Sequence, residues 1–306
     1  MIQIQLALVR RELWEHRSLY LTPVVIALLV TLMAMTGNVS IGAMKYVDLG
    51  IVGASNMPEN ARAAALTVGM LLVSSMFVLA MSVLTIFYTL DSLYAERKDR
   101  SILFWRSIPL TDFETVLSKL LTAVLLIPLV TFVLILLTHI VVLLITSVWI
   151  AMRGGDAWHL IWSAAPFLED WSAILVFLLA LPLWMSPFIG WFLFVSAFVK
   201  RSPLLIAFLP IAMLPMFEKM LFDSTVFVEA FFVRSVQMPL FTGLDNMKLF
   251  MHKGEDLEMF EDASLSLFSL MDLGGFLASP AFWLGIVVCG LFTTAAIYVR
   301  RYRDDS

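Results

Sequence analysis

The residues best suited to chemistry in this sequence lie in one short segment, residues 94–119, where charged and aromatic side chains are crowded together. Phe104 and Trp105 follow a dense mixed-charge stretch that contains Arg97 and Arg100. A few aromatic and arginine side chains supply most of the energy at protein–protein contacts. The segment therefore predicts a docking surface, although charge alone is also typical of a solvated loop.

The local signals within this segment predict two helices. Pro109 ends the first, because the residue before a proline is disfavoured in the helical region. Thr111 then begins the second, with Glu114 three residues later in a capping-box pattern, and the helix leads through Lys119 into an apolar run.

His139 is the one histidine inside the long apolar runs of the sequence. Such a residue relays protons or contacts a substrate in some membrane proteins, which makes it a candidate pathway residue. A hydrogen bond from an isolated histidine to a neighbouring helix is the preferred interpretation.

Catalytic signatures are absent from the sequence. It has no phosphate loop, no H-E-x-x-H and no G-x-S-x-G, so we expect a chain that is not an enzyme and that binds no cofactor itself. The single cysteine, Cys289, excludes an intramolecular disulfide or a cysteine-based metal site, and we expect no metal. A net charge of -4 does not favour nucleic acid as a partner.

The composition shows where these residues must sit. Of 306 residues, 61% are hydrophobic and 14% are charged, whereas a soluble domain is about a quarter charged. We therefore predict an all-α integral membrane protein whose surface is largely in contact with lipid.

Six charge-poor segments are long enough to cross a bilayer, which takes roughly 20 apolar residues. The predicted spans are 18–44, 63–90, 120–152, 171–199, 202–222 and 273–299. The fifth is the weakest, because its charge-free run, 202–217, is short and contains Pro203, Pro210 and Pro215. Prolines remove helical hydrogen bonds, so we expect this span to be broken or re-entrant, with an outer turn near residues 219–232.

Basic residues predict the orientation, since they are enriched on the cytoplasmic side. In a six-span arrangement, 13 of the 20 Lys and Arg residues fall on the side that holds both termini. That side therefore corresponds to the cytoplasm, together with loop 91–119, while a large region at 218–272 lies outside.

The N-terminal stretch, residues 1–17, predicts an amphipathic helix at the membrane interface. Ile2, Leu6, Val9 and Leu13 recur at helical spacing, and polar residues occupy the other faces. Its basic and aromatic residues are expected to meet anionic lipid; they are Arg10, Arg11, Trp14 and Arg17.

Two stretches resemble one known family. The loop carries Glu96-Arg97 before a charged pair, then Ser101-Ile102-Leu103, and later Ser-Ile-Pro-Leu-Thr-Asp at 107–112. Together with Arg10-Arg-Glu-Leu-Trp-Glu-His-Arg17, it is similar to the first part of ABC type-2 transporter permeases. The resemblance covers the six-span topology, with motifs confined to roughly the first 120 residues; Arg100 stands where many relatives have glycine.

The resemblance implies that residues 1–17 form an elbow helix and that residues 96–107 form a cytoplasmic coupling helix seated in a separate ATP-binding subunit. The implied contact residues are Glu96, Arg97, Arg100, Ser101, Phe104, Trp105, Arg106 and Ser107. It also implies ATP and Mg held by that partner, a second permease copy or paralogue, and a bacterial or archaeal cytoplasmic membrane.

The function expected from the resemblance is ATP-driven export of a hydrophobic or amphipathic substrate. Two alternatives stay open. A secondary transporter or channel requires intramembrane charges for ion coupling, and the charge-free runs within the spans offer only His139 as a titratable candidate. A membrane enzyme, sensor or immunity subunit requires a polar cluster near the interface, which the sequence does not show.

Overall fold

The computed structural model describes residues 2–36, 59–99, 110–163, 165–240, 267–268 and 270–302, and these residues form helices without any strand. Six of the helical stretches are long and apolar enough to cross a membrane. The all-α membrane architecture predicted from the composition is confirmed at this level. The α-helices are α1 (Ile2–Glu15), α2 (Ser18–Met35), α3 (Glu59–Lys98), α4 (Asp112–Leu121), α5 (Ile127–Met152), α6 (Phe167–Trp184), α7 (Ser186–Phe198), α8 (Pro203–Phe222), α9 (Val226–Val236), α10 (Leu273–Ala278) and α11 (Pro280–Tyr302).

The first three predicted spans correspond to α2, α3 and the α4–α5 stretch. Helix α3 is longer than predicted at both ends, and the part of the first predicted span beyond Thr36 lies outside the described residues. A π turn at Thr122–Leu126 joins α4 to α5. Pro128 lies just beyond it and has no N–H to donate to the Val124 carbonyl, which favours an irregular turn there.

The prediction that the fifth span breaks at its prolines is wrong, because α8 runs without interruption from Pro203 to Phe222. Pro203 occupies the first turn, where its missing N–H costs nothing, and Pro210 and Pro215 are accommodated inside the helix. A turn does follow, at Asp223, before α9 begins at Val226.

The sixth predicted span is divided at Ser279 into α10 and α11. The fourth span is broken too. It is divided at Met185 into α6 and α7, and Pro187 lies in the first turn of α7. The Trp184 indole at this break is buried against Phe276 and Phe282, and its Nε1 donates to the Arg234 carbonyl at 2.8 Å. Tertiary packing therefore fixes the position of the break.

The core of the bundle lies where α3, α5, α6 and α7 meet. Its largest buried side chains include Phe77 and Met81 of α3, Ile135 of α5 and Leu178 of α6. By contrast, α2 and α8 expose most of their apolar side chains, as expected for helices that contact lipid or another chain.

Helices α7 and α11 approach closely because α7 carries a glycine at the crossing. A Cβ at Gly190 would lie only 2.9 Å from the Cα and the carbonyl oxygen of Cys289. Small residues at such crossings allow backbones to pack together in membranes.

Gly190→Ala is therefore expected to lower the stability of the protein by about 1–3 kcal/mol, because backbone atoms cannot move aside for the added methyl group. Thermal unfolding in detergent micelles measures the effect. Gly290→Ala on α11 is the matched control, since nothing lies within 4 Å of a Cβ there. Equal midpoints for the two variants would contradict the close crossing.

Candidate functional site

The second helix of the predicted docking segment begins as expected, with a complete capping box. The Thr111 Oγ1 accepts a hydrogen bond from the Glu114 N–H at 3.2 Å, and the Thr111 N–H donates to Glu114 Oε2 at 2.9 Å. This cap satisfies N–H groups that the first turn leaves open. It fixes the start of α4, the helix that carries Asp112 and Lys119.

Lys119 is fully buried between two other helices. Its Nζ lies 3.1 Å from Glu12 Oε1 of α1 and 3.0 Å from Glu96 Oε1 of α3. Glu12 is fully buried as well, and Glu96 is 6% exposed. A buried ammonium group requires such partners, because an unpaired charge in the interior is costly.

Two arginines complete the arrangement. Arg300 of α11 donates from Nη1 to Glu96 Oε2 at 2.6 Å and from Nε to Asp112 Oδ1 at 2.9 Å. Arg11 of α1 donates from Nη2 to Glu12 at 2.8 Å and to Glu96 at 3.1 Å. We call these six residues the ion cluster: Arg11, Glu12, Glu96, Asp112, Lys119 and Arg300.

The ion cluster contains three cations and three carboxylates, so its formal charge is balanced. It joins α1, the end of α3, the start of α4 and the end of α11 at one end of the bundle. In the sequence, residues 100–109 fall between two of its members, Glu96 and Asp112. The cluster therefore anchors both flanks of the segment for which docking is predicted.

Two aromatic side chains extend the cluster. The Tyr88 hydroxyl donates to Glu12 Oε2 at 2.8 Å. The His16 ring packs edge-on against Tyr88 with centroids 5.0 Å apart, and its Nε2 lies 3.7 Å from Glu12 Oε2. The region where α1 meets α2 is in this way tied to α3.

Glu12, Glu15 and His16 also place ligand atoms within 4.8 Å of one another, the spacing of a metal site. The Glu12 oxygens already accept hydrogen bonds from Arg11, Lys119 and Tyr88. The Glu12 carboxylate is already engaged by these partners, so we do not assign a metal site to Glu12, Glu15 and His16.

The charges around Glu12 set its ionisation. Burial raises the pKa of the Glu12 carboxyl, but the Lys119 and Arg11 cations outweigh burial and hold the pKa below its ordinary value of 4.5. The pKa of Glu15 is instead raised, because burial outweighs its attraction to Arg11.

A lowered pKa in the folded protein means that Glu12 stabilises the fold above its unfolded pKa, and that this stability is lost as the pH falls through the folded value. We expect the wild-type protein to lose its stability advantage over Glu12→Gln as the pH drops below 4.5. Unfolding midpoints of both proteins in detergent at several pH values measure this. An advantage that does not change with pH would contradict the assignment of the charge to Glu12.

The predicted docking residues divide into two groups. Glu96 is buried in the ion cluster, and Arg97 donates from Nη2 to the Ser196 and Val199 carbonyls at the end of α7. Both side chains bind within this chain, and their predicted contact with a partner stays a prediction. The others lie outside the described residues; they are Arg100, Ser101, Phe104, Trp105, Arg106 and Ser107.

The N-terminal helix is present as α1, but its orientation differs from the expectation. Glu12 is one of the polar residues that the sequence pattern places on the other faces of this helix, yet it is buried against the bundle together with Leu8. Trp14 is 68% exposed, and Arg10 lies over its ring at 5.1 Å. The cause of the difference is the pairing of Glu12 with Lys119, while the interfacial elbow role, for which Arg10, Trp14 and Arg17 are exposed, stays a prediction.

His139 is buried on α5, and its Nε2 lies 3.1 Å from the Met70 carbonyl and 3.4 Å from Ser74 Oγ, both on α3. Because a carbonyl only accepts, Nε2 carries the proton. The preferred interpretation, a hydrogen bond to a neighbouring helix, is confirmed, and a pathway role for His139 stays a prediction.

Sequence reasoning missed two sets of residues. The first is the grouping of Glu12, Lys119 and Arg300, of which Lys119 and Arg300 border apolar stretches. The second is Asp170 in the first turn of α6, which is fully buried and accepts a hydrogen bond from Thr67 Oγ1 at 2.7 Å. A charged residue at the edge of an apolar stretch is the signal that identifies Lys119, Asp170 and Arg300.

The sequence matches no protein-family model, and no curated protein is detectably similar to it.

Proposed function

We propose that this chain is the membrane-spanning permease subunit of an ATP-driven exporter that moves a hydrophobic or amphipathic substrate. The proposed partners are a separate ATP-binding subunit, which supplies ATP and Mg, and a second permease copy or paralogue. In this proposal both termini and residues 96–107 face the cytoplasm of a bacterium or archaeon. The permease resemblance of the sequence is the origin of the proposal.

The observation that carries the proposal is the ion cluster at the flanks of residues 100–109. A partner that moves this segment would pull on Glu96 and Asp112, which are bound to Lys119 and Arg300. Buried, charge-assisted hydrogen bonds resist stretching, so the four joined helices would move together.

The lengths of the helices support the same mechanism. Helix α3 has 40 residues and so extends about 60 Å, and α4 continues through the π turn into α5. Movement at the end that holds the ion cluster would reach the opposite end of the bundle along these rigid elements.

An ion-gradient-driven transporter is the second candidate, and Asp170 is the observation that favours it. This carboxylate is fully buried beside Thr67, and its Oδ1 has no hydrogen-bond partner. Buried acidic residues within membrane spans often mark ion or proton routes. The first candidate is preferred because the ion cluster joins the flanks of a segment whose composition is that of a docking surface.

One experiment separates the two candidates. We expect the full-length tagged chain, purified gently from the membranes of its own source, to carry ATPase activity that orthovanadate inhibits. An unrelated tagged membrane protein from the same membranes serves as the control. Solute flux driven by an ion gradient in nucleotide-free vesicles that contain this chain alone would contradict the exporter proposal.

A further inference from the structure

A groove of about 240 Å³ lies beside the ion cluster, where the start of α2, the last turns of α3 and the start of α8 meet. Its polar lining consists of His16, Ser18, Tyr88 and Asp91, and its apolar lining includes Leu84, Phe87 and Leu204. A groove lined by both polar and apolar side chains suits an amphipathic molecule. Because it opens among helices long and apolar enough to span a membrane, that molecule is available there as lipid.

Asp91 gives the polar part of the lining a negative charge. Its side chain is exposed, and among the described residues no side chain or N–H group forms an ion pair or a hydrogen bond with it. A carboxylate at the edge of a membrane favours a cationic partner, and an ammonium group supplies both a charge and N–H donors.

Two arginines are close in sequence to residues that line the same groove. Arg17 directly precedes Ser18, and Arg201 comes two residues before Pro203, which also lines the groove; both arginines are exposed. The Asp91 carboxylate matches the ammonium group of a zwitterionic headgroup, and exposed guanidinium groups one and two residues from the lining suit its phosphate. The apolar side chains of the lining are then available to contact an acyl chain.

We propose that this groove binds one phospholipid whose headgroup carries a primary ammonium group, of the phosphatidylethanolamine class. The ammonium group donates to the Asp91 carboxylate, which a quaternary ammonium cannot do. Tyr88 lines the groove and also donates to Glu12, so the bound lipid lies one side chain away from the ion cluster. The inference does not depend on the proposed function.

Native mass spectrometry of the full-length protein tests the proposal after incubation with phosphatidylethanolamine, phosphatidylcholine and phosphatidylglycerol of identical acyl chains. We expect wild-type protein to retain phosphatidylethanolamine over phosphatidylcholine by about threefold to tenfold, as one charge-assisted hydrogen bond provides. Asp91→Asn should remove this preference.

Asp99→Asn is the matched control, because Asp99 is an exposed carboxylate at the end of the same helix that does not line the groove. It should keep the wild-type preference. Equal retention of phosphatidylethanolamine and phosphatidylcholine by the wild-type protein would overturn the proposal. So would stronger retention of phosphatidylglycerol, or an unchanged preference in Asp91→Asn.

Discussion

Lys119→Met is expected to destabilise the protein by about 3–5 kcal/mol, the usual cost of removing one member of a buried ion pair. The substitution leaves Glu12 and Glu96 close together without the ammonium group between them. Thermal unfolding in detergent measures the loss. Because Lys119 links Glu12 of α1 to the bundle, trypsin should also cleave within α1 more rapidly.

The size of this effect depends on burial, so an exposed ion pair is the proper control. Lys219 pairs with Asp223 one turn along α8, with its side chain 63% exposed. Lys219→Met should change stability by no more than about 1 kcal/mol. The double variant Lys119→Met/Glu12→Gln should recover part of the loss, because it removes one unpaired carboxylate. If Lys119→Met behaves like Lys219→Met, the ion cluster does not hold the helices together.

Trp105→Ala is expected to separate this chain from the proposed ATP-binding subunit. An aromatic anchor at an interface is worth about 2 kcal/mol or more, which weakens association roughly 30-fold. The measurement is the ATPase activity that purifies with the tagged chain, together with substrate efflux. Arg97 is left unchanged, because its hydrogen bonds to the Ser196 and Val199 carbonyls give it a role inside this chain.

Trp158→Ala is the matched control, since Trp158 is 70% exposed at the opposite end of the bundle. It should keep both the ATPase activity and the efflux of the wild-type protein. Wild-type values for Trp105→Ala in both assays would show that residues 96–107 connect two helices without docking, and the exporter proposal would lose its basis.

Local signals in the sequence predicted those parts of the structure that depend on neighbouring residues. The Thr111–Glu114 capping box forms as expected, because its four atoms belong to one helical turn. The six apolar stretches also correspond to helices, since a charge-free run near 20 residues has few other stable forms in lipid.

Two pairs of prolines show that local sequence signals do not predict which helix breaks. Pro182 and Pro187 are five residues apart, and so are Pro210 and Pro215, yet only the first pair accompanies a broken helix. The sequence contains the same signal twice. Near the first pair, Trp184 is buried against α10 and α11, whereas most side chains of α8 are exposed.

The candidate site, too, has one part that the sequence predicted and another that only the structure revealed. The sequence by itself determined a membrane chain, the start of α4 and a charged, aromatic segment between two spans. Only the tertiary structure brought Glu12, Glu96, Lys119 and Arg300 together, although up to 204 positions separate hydrogen-bonded members. The physical reason is that a buried charge must find its counter-charge across helices, and the crossing of those helices is decided by packing.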